Sequence, residues 1–323
     1  MCVWYTIELV PPSLPPWQIT LARIEGALPF LSPELAECLA LRSLRRLWHA
    51  HVRSYVFDNL GPEHNPGPEA QELVRTWHSE ERRQFLSWIS RRAPPPLAKA
   101  ARQVMAAKSQ TEGFTSAFEA ADSALARLDT LLPSSDAIST LLEWLDELRT
   151  EELDFLEGGS EVVQVGGMVI TRPAPRSAAW AASLAAAVRP HLFGLGSAPL
   201  TFAGLTPRVL FRERPEEPLP ALLRAALQAA FVTAEEDLRA MHKATTLGDK
   251  ALTGLYASSS APRAWRIIAS LGPLTRSELA RGLGVTKRTA SQSVGALEEA
   301  GLVILRPSDR AILPASADRA LRE

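Results

Sequence analysis

Cysteine is nearly absent from this 323-residue chain, with Cys2 and Cys38 its only two. Two thiols cannot build a disulfide framework or a four-ligand zinc site, and their scarcity suits a reducing compartment. Long apolar runs are missing as well. No stretch approaches the ~18 consecutive apolar residues of a membrane-spanning helix, and the N-terminus lacks a basic region followed by an apolar core. A soluble, cytoplasmic protein without membrane contact is expected. Charge of one sign does not dominate either: Lys plus Arg number 35 and Asp plus Glu 36, for a net charge of −1. The molecule as a whole would not hold a polyanion by bulk charge. There is no serine elbow, no His-Glu-x-x-His, no phosphate loop and no cysteine cluster. No catalytic residue, metal ligand or cofactor is therefore expected, and an enzyme would need a scattered site in the helical body.

What the chain does contain is ample apolar content, 46%, enough for the cores of two or three domains. Its charge is unevenly spread. From Arg263 to the end there are ten basic and six acidic residues, a net of +4, and the preceding part has 25 basic and 30 acidic, a net of −5. A basic tail on a near-neutral body is a pattern of nucleic-acid binding.

The chemistry concentrates between Thr275 and Ile312. Thr275 and Glu278 form a T-x-x-E capping box ahead of Leu279, Ala280 and Leu283, and Gly284 ends that short helix. Thr286 caps a second helix whose Ala290, Val294, Leu297 and Ala300 recur at spacings of four and three. Its other face offers Lys287, Arg288, Thr289, Ser291, Gln292 and Ser293, with no carboxylate before Glu298. Cations and hydroxyls bond phosphate oxygens, and Arg or Gln can pair with purine edges in a major groove. After Gly301, Leu302 to Leu305 and Ala311 to Leu313 predict two short strands around a polar tip, with Arg306 and Arg310 at its ends. The pattern is that of a winged helix-turn-helix, with Thr286, Lys287, Arg288, Thr289, Ser291, Gln292, Arg306 and Arg310 as the DNA-binding candidates.

Ahead of it the periodicity is helical. A short strand is expected over Met1 to Val10, then helices over Leu21 to Phe30, Pro33 to Asn59, Glu69 to Arg92, Leu97 to Lys108, Thr115 to Leu132, Asp136 to Leu156 and Ser177 to Val188. Gly166-Gly167 closes a hairpin between Val162 and Thr171. The segment from Pro190 to Pro218 has no readable order. Leu219 to Thr245 carries the strongest stripe, Leu223, Leu227, Ala230, Ala234, Leu238 and Met241, fit for a domain spine or a dimer seam. His49 and His51, two apart on a helix, point in different directions and make a poor metal pair. Arg42, Arg45, Arg46 and Arg53 suit a solvated face, ion pairs with later acidic helices, or a second nucleic-acid surface. Glu143 and Glu147 belong to an acidic helix best read as solvated.

The run Leu279-Ala280-Arg281-Gly282-Leu283-Gly284-Val285-Thr286 resembles the helix-turn-helix of MarR-type and related bacterial regulators. As a whole the chain, from its L-A-R-I-E-G-A-L opening at Leu21 to Leu28, is similar to rhizobial plasmid-encoded helical proteins that end in such a domain. The resemblance implies a bacterial origin and DNA binding, and it supplies no catalytic residue.

The expected fold is mostly α: a helical N-terminal domain over 1–157, a hairpin, irregular segment and long helix over 158–257, and a winged helix-turn-helix over 258–323. The expected partner is double-stranded DNA, bound by a homodimer, and the sequence names no effector ligand. The rival reading is an assembly protein, for plasmid maintenance or a similar task, whose winged domain contacts protein.

Overall fold

The longest helix runs over Leu219–Ala251, 33 residues, or about 50 Å at 1.5 Å per residue. The computed structural model describes residues 14–55, 80–106, 118–133, 136–150, 155–156, 160–165, 168–173, 178–196, 198–254, 259–308 and 310–315. The strand expected over the first ten residues and the start of the helix expected from Glu69 lie outside them. In chain order the helices are α1 (Pro16–Ala27), α2 (Pro33–Tyr55), α3 (Glu80–Arg92), α4 (Pro95–Ala106), α5 (Glu119–Thr130), α6 (Ala137–Thr150), α7 (Ala179–Ala187), α8 (Leu219–Ala251), α9 (Ala261–Leu271), α10 (Arg276–Leu283) and α11 (Lys287–Glu299). Among the described residues two antiparallel hairpins accompany them, β1 (Ser160–Val165) with β2 (Met168–Pro173), and β3 (Val303–Leu305) with β4 (Ile312–Pro314). The fold is mostly α, as the periodicity required.

All six stripe residues of α8 are buried within the chain itself. Proline in its first turn presets the backbone for helix entry, and α1, α2, α6 and α9 pack along it. On α1, Trp17 meets Phe231 of α8 with ring centroids 6.1 Å apart. On α2, the cap expected at Ser32 is present, its Oγ accepting from Leu35 N at 3.2 Å.

The arginines of α2 serve the interior. Arg42 Nε donates to Asp237 Oδ1 of α8 at 2.8 Å, and Arg46 Nε to Oδ2 at 2.9 Å. Arg42 and Asp237 are almost fully buried, and charges in such a place are tolerable only when paired and hydrogen-bonded. Of the arrangements open for this cluster, ion pairing is what Arg42 and Arg46 adopt, although the acid comes from α8 rather than α6. Of the α6 carboxylates, Glu143 is exposed and Glu147 half-buried. His51 is packed among Trp48, Phe85, Phe118 and Trp180, with centroids 5.2–6.0 Å away. Among the described residues no cluster of His, Cys, Asp or Glu is placed to hold a metal ion, and no helix is long and apolar enough to cross a membrane.

The segment without readable order contributes to the core as far as Phe211, and Arg212 to Pro218 lie mostly exposed. Short 3-10 turns at Pro190–Phe193 and Arg208–Phe211 bring Phe193 and Phe202 edge-on to Phe231 of α8, with centroids 4.9 and 4.7 Å away. Edge-to-face geometry is the favourable one for aromatic quadrupoles. One continuous set of buried apolar residues runs from Ile24 through α8 to Ile312, so the C-terminal elements share the interior of the helical body.

Candidate nucleic-acid interface

α9 is the platform. Ala264, Trp265, Ile267, Ile268 and Leu271 are all buried, because the helix is covered by α2 and α8 on the body side and by α10, α11 and β4 on the other. Trp265 Nε1 donates to Ala244 O of α8 at 2.8 Å. Gly248, one turn further along α8, makes room for the indole: a Cβ there would lie 2.2 Å from Trp265 Cδ1. Where α9 ends, Gly272 has φ 80° and the Arg45 guanidinium lies beneath it, 2.7 Å from where a Cβ would be. Both features of Gly272 require glycine.

The next two helices are capped as their sequence dictates. Thr275 N donates to Glu278 Oε2 at 2.8 Å and Glu278 N to Thr275 Oγ1 at 3.3 Å, which closes the capping box of α10. Gly284, at φ 69°, ends α10 in the left-handed conformation that glycine adopts without strain. Val285 N then returns to Ala280 O at 2.9 Å. Thr286 caps α11, its Oγ1 accepting from Thr289 N at 3.2 Å. Ala290, Val294 and Leu297 are buried, and Lys287, Arg288, Ser291 and Gln292 are exposed. Thr289 is half-buried. The one departure on this helix is Ser293, which turns inward: its hydroxyl lies 2.6 Å from that of Ser260 and donates to Thr289 O at 3.0 Å.

After Gly301, at φ 68°, the chain forms the hairpin β3–β4 with Val303 opposite Pro314 and Leu305 opposite Ile312. Arg306 N donates to Ala311 O and Arg310 N to Arg306 O, both at 2.9 Å, closing the tip. Arg310 adopts φ 53°, an uncommon state for a residue with a Cβ. Leu274 adds a one-residue third strand, exchanging hydrogen bonds of 3.2 and 2.8 Å with Ile312. Sequence reasoning missed it, because a single rung between Pro273 and an N-cap has no strand period.

Helix, glycine turn, capped helix and hairpin thus follow in order on one platform. Residues 264–306 match the family model of a helix-turn-helix domain. Comparison with curated proteins and with solved structures returns no match. The match runs from within α9 to the first residue of the wing tip and contains seven of the eight DNA-binding candidates, six on α11 and its cap and Arg306 on the wing, with Arg310 just beyond it. α11 packs on α9, α10 and β3, and its exposed residues are Lys287, Arg288, Ser291 and Gln292 in the first two turns and Glu298 and Glu299 at its end. That surface carries two cations, amide and hydroxyl donors and no carboxylate until Glu298. The free backbone N–H groups at the start of α11 add to its positive character.

Proposed function

We propose that this chain is a sequence-specific double-stranded DNA-binding protein, a bacterial transcriptional regulator that docks α11 in a major groove and lays its wing on the flanking backbone. The observation that carries the reading is the exposed, acid-free face of Lys287, Arg288, Ser291 and Gln292 on a helix anchored by buried Ala290, Val294 and Leu297. Phosphate contacts fix the position of such a helix and base-edge contacts give it specificity. Arg288 and Gln292 have the reach and donor geometry for purine edges, and Thr286, Lys287, Thr289, Ser291, Arg306 and Arg310 suit phosphates. The resemblance to MarR-type regulators points the same way. A homodimer would place two copies of α11 on half-sites about 34 Å apart or a multiple of that.

The test is a mobility shift of genomic fragments, including the region upstream of the chain's own gene, at two salt concentrations with competitor DNA. Arg288→Ala should weaken cognate binding by ~1–3 kcal/mol and leave random DNA nearly untouched, while Arg306→Ala should weaken all sequences alike. Equal losses on random and cognate DNA for Arg288→Ala would remove its base-reading role. Absence of any shift at low salt would move the domain to protein contacts.

A further inference from the structure

We infer that Arg263, in the first turn of α9, is a phosphate contact that carries the DNA surface past the start of α11. The inference rests on the DNA reading above. The start of α9 is fastened to α11 and to the turn before it. Ser260, the residue ahead of α9, has its hydroxyl 2.6 Å from that of Ser293 on α11. Three residues on, Arg263 Nη1 donates to the carbonyl of Leu283, the last residue of α10, at 3.4 Å. Gly284, Val285 and Thr286 are all that separate Leu283 from α11. The Arg263 guanidinium therefore sits at the turn from which Lys287 and Arg288 set out.

Three physical facts turn this placement into a binding role. Arg263 is exposed, so its charge meets solvent or ligand rather than the interior. A guanidinium has five N–H donors in a planar fork, and a single bond to a carbonyl leaves most of them to a phosphate. A duplex seated on the N-terminal turns of α11 brings its backbone to the turn before that helix, where positioning contacts concentrate. The carbonyl at the end of α10 also favours a nearby cation, which holds the side chain in place before DNA arrives.

The test uses full-length protein, fluorescence anisotropy, and both a cognate duplex recovered with the wild type and a random duplex, between about 50 and about 200 mM salt. Arg263→Gln keeps a donor for Leu283 and loses the charge. Its slope of log affinity against log salt should be shallower than wild type by about 0.9, so that the ratio of wild-type to variant affinity shrinks about 3.5-fold over that range. The change should be equal on both duplexes, and Arg263→Lys should restore the slope. An unchanged slope in Arg263→Gln overturns the inference; an unchanged slope with a lower melting temperature reassigns Arg263 as a cap of α10. Failure of the wild type to bind either duplex would overturn the DNA reading itself, a result distinct from loss of this one contact.

Discussion

Replacing Gly248 by alanine tests the joint between the helical body and the helix-turn-helix domain, because two effects of opposite sign meet there. Alanine is the better helix former, by about 1 kcal/mol, and on an ordinary helix the change would stabilise. At this position the new Cβ would lie 2.2 Å from Cδ1 and 2.5 Å from Nε1 of Trp265. Carbon contacts settle near ~3.5–4.0 Å, so the indole must retreat by more than ~1 Å from a site where it is 1% exposed. Overpacking of this kind costs about 1–3 kcal/mol. Losing the 2.8 Å bond from Nε1 to Ala244 O strands a buried donor, at about 1–3 kcal/mol more. The net expectation is a loss of about 3 kcal/mol. At ~2.1 cal/mol/K per residue over the whole chain, this lowers Tm by roughly 4 °C. Urea denaturation followed by circular dichroism, with a thermal scan beside it, measures both. A Gly248→Ala protein as stable as wild type, or about 1 kcal/mol more stable, would refute the interlock. Trp265→Phe should couple to it, the double variant losing less than the two single losses combined.

Asp237→Ala takes the carboxylate away from Arg42, whose side chain is 1% exposed, and should cost about 3–5 kcal/mol in urea denaturation; a loss below ~1 kcal/mol would show that the pair behaves like a surface one. Arg310→Gly trades relief of the left-handed backbone at φ 53° against a floppier unfolded chain. Its stability should stay within about 0.5 kcal/mol of wild type while DNA affinity falls at low salt. Arg310→Val has no comfortable left-handed state and should melt earlier than the glycine variant, so equal melting of the two would contradict the strain at the tip. Burial pushes the Cys38 thiol up to about 11. Its folded pKa exceeds the unfolded one, so its contribution to stability is complete below the unfolded thiol's pKa and is lost as pH rises from there toward about 11. Cys38→Ala should decline less steeply over that alkaline range in denaturation midpoints, and an unchanged pH profile would argue against this linkage.

How readily each part could be read from sequence follows the range of the forces that shape it. Caps and periodic faces are local, and so the Thr275–Glu278 box, the Gly284 turn, the Thr286 cap and the α8 stripe were all readable. The Arg42–Asp237 pair was not, because its partners lie 195 residues apart and an arginine on a helix carries no mark of the acid it will meet. Pro190 to Pro218 hid its burial for the same reason: Phe193 and Phe202 are core because Phe231 comes to them, and irregular backbone has no period to announce it. Ser293 looked like surface because serine is short and polar, and only Ser260, from outside the helix, draws it inward. In the sequence Arg263 carries only a charge, since its neighbour Leu283 is fixed by the packing of α9 against α10.

The seating of Trp265 against Gly248 also bears on inheritance and engineering. A helix-turn-helix domain tethered by a loose linker can be cut out and grafted onto another body, but this one shares a side chain's berth with the helix behind it. Cutting before Ala261 would bare the indole and remove the Arg45 support beneath Gly272. A transplanted copy would need a recipient helix with a glycine at the matching turn. Altering the outer face of such a domain is accordingly simplest one exposed residue of α11 at a time, leaving the mortise intact.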